Sequence, residues 1–189
     1  MTPAARAAAA DTTATHALTE PRVLAARHVA LYRPVGAELD PLPLARALAA
    51  RGVTLYWPKL VDTQMQFIAA DLDAPTAPNR HGIAEPVDGA VIAPERLELV
   101  IVPLVGYGDQ GQRLGAGAGW YDRSFAFRLQ QPAPPWLAGY AYSGQRCALS
   151  AAPWDVPMDF VLTEAGVHDA MAARTGASSA TLHATEPGG

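Results

Sequence analysis

From Gly108 to Arg123 the chain reads GDQGQRLGAGAGWYDR, and this segment concentrates the residue types that can do chemistry. Its five glycines let backbone N–H groups turn toward one point, a nest that suits phosphate oxygens. Arg113 lies inside the nest and can add bidentate contacts to the same oxygens. Asp122 follows where a helix is expected to begin. A carboxylate beside a phosphate nest is repulsive unless a cation lies between them, which points to Mg²⁺. The plainer account of Asp122 is an aspartate favoured by the dipole of the helix it opens. The familiar nucleotide patterns do not fit. The only lysine is Lys59, outside the segment, and Trp120 stands where G-x-G-x-x-G needs its last glycine. On local chemistry alone, a phosphate nest and a plain glycine turn both stay open.

These residues need a scaffold. LELVIVP (Leu97–Pro103), just before the glycine segment, is almost wholly apolar, as a strand covered on both faces should be. YDRSFAFRLQ (Tyr121–Gln130), just after it, is expected to be a helix, with Phe125 and Leu129 four residues apart. HVALYR (His28–Arg33), VTLYWP (Val53–Pro58), Gln66–Ile68, LAGYAY (Leu137–Tyr142) and DFVLTE (Asp159–Glu164) read as further strands. LPLARALAARG (Leu42–Gly52) reads as a helix ended by glycine. Strands alternating with helices, with few tight hairpin signals, predict an α/β fold. The expected form is a three-layer α/β/α sandwich around a mostly parallel sheet, in a single domain. In such sheets ligands gather where loops leave the carboxyl ends of the strands. Residues 1–21 are expected to be a flexible N-terminal arm or loose helix, 22–170 the α/β domain, and 171–189 a disordered tail.

Composition narrows the function classes. A chain of 189 residues with 50% hydrophobic residues is long enough to bury a core. A net charge of −4 gives no general attraction to nucleic acid or to an anionic membrane, so a polyanionic ligand needs a local cationic site. A lone Cys147 excludes an internal disulfide, which fits a reducing cytoplasm. The histidines form no cluster with metal-ligand spacing. No apolar run approaches the roughly 20 residues needed to span a bilayer. The expected partner is a small molecule, with neither nucleic acid nor membrane, for a monomer or homodimer.

The glycine segment and its flanks resemble the 5-formyltetrahydrofolate cyclo-ligase family, also called methenyltetrahydrofolate synthetases. Its signature places a strand ending in Val-Pro before an aromatic and then G-x-R-L-G-x-G-x-G-[YW]-Y-D. Val102, Pro103, Tyr107, Gly111, Arg113, Leu114, Gly115, Gly117, Gly119, Trp120, Tyr121 and Asp122 fill those places. Four more blocks follow the same order: LYRPVGAELD with Glu38, the pair Met65 and Phe67, GIAEP (Gly82–Pro86), and Asp155-Val156-Pro157-x-Asp159 leading to LTE (Leu162–Glu164). The resemblance covers roughly residues 28–166.

That resemblance implies ATP-dependent conversion of 5-formyltetrahydrofolate to 5,10-methenyltetrahydrofolate, with ATP and Mg²⁺ as cofactors. Arg113 and Asp122 would be catalytic. Arg113, Leu114, Gly115, Ala116, Gly117, Ala118, Gly119, Trp120 and Tyr121 would bind ATP. Arg33, Glu38 and Trp120 would bind the folate, and Asp122 with Asp155 would hold the metal. It also implies an opening helix bearing a basic pair, whereas the residues before His28 contain no lysine. A diverged relative that binds folate or nucleotide in a regulatory or partner-binding role is the alternative. Taken alone, Glu38 reads as a solvated loop residue. Asp155 and Asp159 read as turn aspartates around Pro157.

Overall fold

Period-two alternation sorts the strand residues between two cores. In the computed structural model, which describes residues 1–175, Val29, Leu55, Trp57, Leu99, Ile101, Tyr140, Phe160 and Leu162 pack on one side of a sheet. Ala30, Tyr56, Val100, Val102, Leu137 and Val161 pack on the other. The strands are β1 (His28–Ala30), β2 (Thr54–Val61), β3 (Gln64–Ala69), β4 (Thr76–Pro78), β5 (Ala84–Pro86) and β6 (Val91–Ile92). They continue with β7 (Leu99–Pro103), β8 (Gly106–Tyr107), β9 (Arg113–Leu114), β10 (Trp136–Tyr140), β11 (Phe160–Thr163) and β12 (Gly166–Asp169). The helices are α1 (Pro3–Ala17), α2 (Pro21–Ala25), α3 (Leu42–Ala50) and α4 (Trp120–Ser124).

The main sheet has eight strands in the order β12-β11-β10-β7-β1-β2-β3-β6, while β4–β5 and β8–β9 form separate pairs. Its centre, from β11 to β2, is parallel throughout. Antiparallel pairing is confined to the edges, β11–β12, β2–β3 and β3–β6. The α1, α2 and α3 helices cover the first core through Ala9, Ala10, Ala14, Val23, Leu44, Ala45 and Leu48. The second core is covered by Phe125, Trp120, Tyr121 and Phe127. This is the expected three-layer sandwich. From β1 the chain moves to β2 on one side, and from β7 it moves to β10 on the other. The strand order therefore reverses between β1 and β7, where loops from the carboxyl ends of these strands open a crevice. No helix among the described residues is long and apolar enough to cross a membrane.

Local structure departs from expectation at three places. The flexible arm or loose helix expected at residues 1–21 is largely a packed helix. Thr2 caps α1 by accepting from the Ala5 N–H (3.2 Å), Pro3 occupies its first turn, and an alanine stripe ending at Ala17 is buried in the first core. The expected helix over Tyr121–Gln130 breaks at Phe125 (φ −115°, ψ 18°) and continues as a 3₁₀ turn, Ala126–Leu129. One of the few tight hairpins joins β2 directly to β3 through Asp62, which takes φ 53°. Of the expected tail, residues 171–175 are helical, and 176–189 lie outside the described residues.

Candidate active site

The loop that leaves β7 folds back over the second core. Its first part, β8 with β9, is a short hairpin. Its tip is laced to the segment before β11, because the Met158 N–H donates to the Gly111 carbonyl (2.9 Å). A Cβ on Gly111 (φ +85°) would lie 2.2 Å from the Met158 carbonyl oxygen, so this approach needs glycine. After β9 the chain passes through Gly115–Gly119 into α4, with Gly117 and Gly119 in left-handed conformations (φ +91° and +65°). Among the described residues, no amide from Gly115 to Gly119 donates a hydrogen bond to the protein. A run of unengaged N–H groups ahead of a helix start is a nest open to an anion.

Arg113 is packed under this nest rather than projected from it, with a side chain only 8% exposed. Its Nη2 donates to Asp122 Oδ2 at 2.6 Å, and Asp122 Oδ1 accepts from the Val156 N–H at 3.1 Å. A Cβ on Gly115 would fall 2.7 Å from Arg113 Nη1, the far end of a flexible side chain that would have to shift, while the backbone here needs no left-handed torsion. Arg113 Nε is buried without a partner. One ion pair thus ties the nest, the start of α4 and the segment ending at Val156 to a common point.

The two aspartates expected to hold a metal are brought into neighbouring segments, since Val156 follows Asp155 directly. Both carboxylates are engaged. Asp155 Oδ2 accepts from the Ala152 N–H (2.8 Å) and closes the turn that presents Trp154 to solvent. Among the described residues, no group of three His, Cys, Asp or Glu could hold a metal ion. Asp155 Oδ1 accepts nothing from those residues, so a metal here would be shared with ligand oxygens.

Glu38 sits in the loop leaving β1. Its Oε2 accepts from the Val35 N–H (2.8 Å), and burial pushes its carboxyl above the usual range. The loop is moored by Arg6 of α1, whose Nη1 donates to the Gly36 carbonyl (3.1 Å). The Tyr121 ring stacks on Phe125 at 6.4 Å, and burial pushes its phenol far above the ordinary value. The Arg113 guanidinium lies 5.8 Å from the centre of the same ring. Arg33 is placed differently. Its guanidinium lies 3.8 Å over the Trp57 ring with Nε buried and unpartnered. Burial lowers its pKa, and the acid acting on it is Asp40 rather than Glu38.

Sequence reasoning found no support for a role of Arg6, because its partner is a carbonyl 30 residues away, and it did not single out Arg123. Arg123 closes the glycine segment: its Nη1 donates to the Ala118 carbonyl (2.9 Å), and its guanidinium lies 4.7 Å over the Trp120 ring. The spacing of Trp120 and Arg123, one helical turn, is the signal that was available.

Comparison with known proteins places the chain among relatives of one family. The sequence model of the 5-formyltetrahydrofolate cyclo-ligase family matches residues 1–164. The 5-formyltetrahydrofolate cyclo-ligase of Escherichia coli K12 is 32% identical over 173 residues, covering 88% of this chain and 94% of that protein. The Haemophilus influenzae cyclo-ligase is 30% identical over 153 residues, 78% of this chain and 81% of that one. The NMR structure of Aquifex aeolicus 5,10-methenyltetrahydrofolate synthetase is similar with a TM-score of 0.77 at 29% identity, covering 90% of this chain and 85% of that one. The Mycoplasma pneumoniae synthetase shares the fold, with a TM-score of 0.68 at 22% identity over 87% of this chain and 90% of that one.

Proposed function

The chain belongs to the 5-formyltetrahydrofolate cyclo-ligase family, and from that premise we propose that it converts 5-formyltetrahydrofolate to 5,10-methenyltetrahydrofolate with cleavage of ATP to ADP and phosphate. The observation that carries this reading is the run of free amides at Gly115–Gly119 beside the Arg113–Asp122 pair.

The chemical difficulty is the formyl oxygen, which leaves poorly from an amide. Transfer of the γ-phosphoryl group to that oxygen turns it into a leaving group. N10 then bonds to the formyl carbon and loses its proton, the carbon–oxygen bond breaks, and inorganic phosphate departs. Such a reaction asks the protein for positioning and charge neutralisation rather than for a nucleophile. The amides from Gly115 to Gly119 hold the phosphates. Arg113 fixes the floor of the nest through its pair with Asp122. Leu114, Ala116 and Ala118 present backbone rather than side chain to the nucleotide. Trp120 and Tyr121 wall the ring pocket. Glu38 accepts from the amino group and ring N–H of the pterin, and its raised pKa reflects the dry setting this role needs. Arg33 flanks the pocket from its stack on Trp57. Mg²⁺, when bound, neutralises phosphate charge. Asp122 and Asp155 would hold it, directly or through water, in keeping with its preference for one or two carboxylates plus phosphate oxygens.

The test is the near-ultraviolet absorbance of the methenyl product. Purified protein receives 5-formyltetrahydrofolate with and without Mg-ATP. A rise that needs every component is expected. A flat trace from folded protein, beside a working control enzyme, would replace this reading with that of a relative that binds without turnover.

A further inference from the structure

Building on the phosphate-nest reading, we propose that Gln145 is a positioning residue for the nucleotide: its side-chain amide fixes the root of the glycine loop and so sets where the nest meets the phosphates. The ladder between β7 and β10 ends at the pair Pro103–Tyr140. Just past that end, the carbonyls of Leu104 and Val105 are met by a side chain. Gln145 Nε2 donates to both, at 3.1 and 3.0 Å. Its Oε1 accepts from the Tyr142 N–H at 2.7 Å. Two carbonyls on one side and an N–H on the other fix which way the amide points.

The root and the nest are close in bonding terms. The Val105 N–H donates to the Leu114 carbonyl at 2.7 Å, and Leu114 directly precedes Gly115. A shift of the root therefore reaches the first amide of the nest through a single residue. Gln145 is also held from behind. The turn that carries it, Ser143–Gln145, is tied to the end of β11, where Glu164 accepts from the Ser143 N–H (2.9 Å) and from its hydroxyl (2.5 Å). The Cys147 N–H fastens the same segment to the Tyr107 carbonyl of β8 (2.9 Å). A relay of carboxylate, hydroxyl and amide thus crosses the carboxyl ends of β11, β10 and β7. The Glu38 loop leaves β1 and is moored elsewhere, through Arg6. Loosening the relay should therefore disturb the nucleotide and spare the folate.

The deciding experiment is a split between Michaelis constants. Gln145→Glu keeps the acceptor for Tyr142 but turns a carboxylate toward two carbonyls, while Gln145→Met removes the polar group at similar size. Each should raise the KM for Mg-ATP by about tenfold, the scale of a hydrogen bond lost with its partners left uncovered. The KM for 5-formyltetrahydrofolate should not move, and kcat at saturating Mg-ATP should stay within a few-fold of wild type. Calorimetric titration with Mg-ADP should show the same weakening without turnover. A merely structural role would lower the melting temperature and leave both constants alone. That outcome, or an equal rise in both constants, would overturn the assignment. Should both variants fail to fold, Ser143→Ala decides, because it removes only the hydroxyl bond to Glu164. About a threefold rise in the KM for Mg-ATP is expected there, and no rise would overturn the assignment. A wild type that binds Mg-ADP without turning over folate would overturn the cyclo-ligase reading alone, and Gln145 would then be judged on Mg-ADP affinity. A wild type that binds no Mg-ADP would remove the nest, and the role of Gln145 with it.

Discussion

Asp122 illustrates how residue types can be read correctly and their relation missed. Arg113 and Asp122 stand nine residues apart, and each was expected to meet a ligand group by itself, phosphate for one and metal for the other. In the structure opposite charges held at 2.6 Å satisfy each other first. Asp122→Asn keeps an acceptor for Val156 but leaves a nearly buried guanidinium without its counter-charge. Stability should fall by about 1.5–3 kcal/mol, and turnover by about a hundredfold or more, as when a charge-stabilising group is removed. Urea titration and steady-state rates check the two parts, and an unchanged rate would take Asp122 out of the site. Glu38 behaves in the opposite sense. Burial raises its pKa in the folded state, so between the unfolded and folded values the native protein binds more protons, and stability from this group falls as pH rises through that window. Glu38→Gln should therefore raise the melting temperature at pH 7, with the gain vanishing once the pH drops below the ordinary carboxylate range. The same variant should raise the KM for folate far more than that for ATP. A melting temperature lowered at pH 7 would contradict the burial argument.

At the scale of elements, legibility followed contrast. The β7 strand was plain because Leu99–Val102 is continuously apolar and continuously buried. The α1 helix was obscure because the stripe at Ala10, Ala14 and Ala17 that enters the core is built of alanine, whose single methyl marks no apolar face, and the polar Thr13 is buried beside it. The break after α4 was hidden by Phe125 and Leu129, whose spacing suits a continuous helix while only Phe125 is buried. The glycine loop was legible as a nest but not as a pedestal. Its sequence gives no hint that Gly115 is small for the sake of Arg113 rather than of a phosphate. Gly115→Ala tests that distinction. A methyl 2.7 Å from Nη1 makes the end of the arginine shift next to its contact with Asp122, while the backbone at this position needs no left-handed torsion. The variant should raise the KM for ATP about tenfold, the effect of one weakened charged contact, with a smaller loss of stability than Asp122→Asn. A KM unchanged from wild type would show that the arginine can move aside freely.

Across the whole molecule, carboxylates at the two ends of the parallel strands have different duties. At the carboxyl end, the β1 loop carries Glu38 in a setting that burial makes costly. At the amino end, acids stitch strand starts together. Glu98, just before β7, accepts from the backbone N–H groups of Arg27 and of His28 (3.0 Å for His28). Asp159, just before β11, is the stronger tie. Both its oxygens meet Arg128 Nη2 at 3.0 Å, and Oδ2 also accepts from the Leu137 N–H at 2.8 Å. Its carbonyl accepts from Ala170 and Met171. The 3₁₀ turn after α4, the start of β10 and the helical residues from 170 onward thus converge on one buried group. Sequence motif alone set Asp159 beside Asp155, and only topology separates them. Asp155 lies in a segment bound to the α4 start, whereas Asp159 anchors the far edge of the sheet. Asp159→Ala should therefore cost about 3–5 kcal/mol, the loss expected when one partner of a buried pair is removed. The kcat of the molecules that remain folded should stay within a few-fold of wild type. Urea unfolding and active-site-normalised rates would show this split. A kcat collapse matching that of Asp122→Asn, with stability intact, would place Asp159 in the chemistry instead.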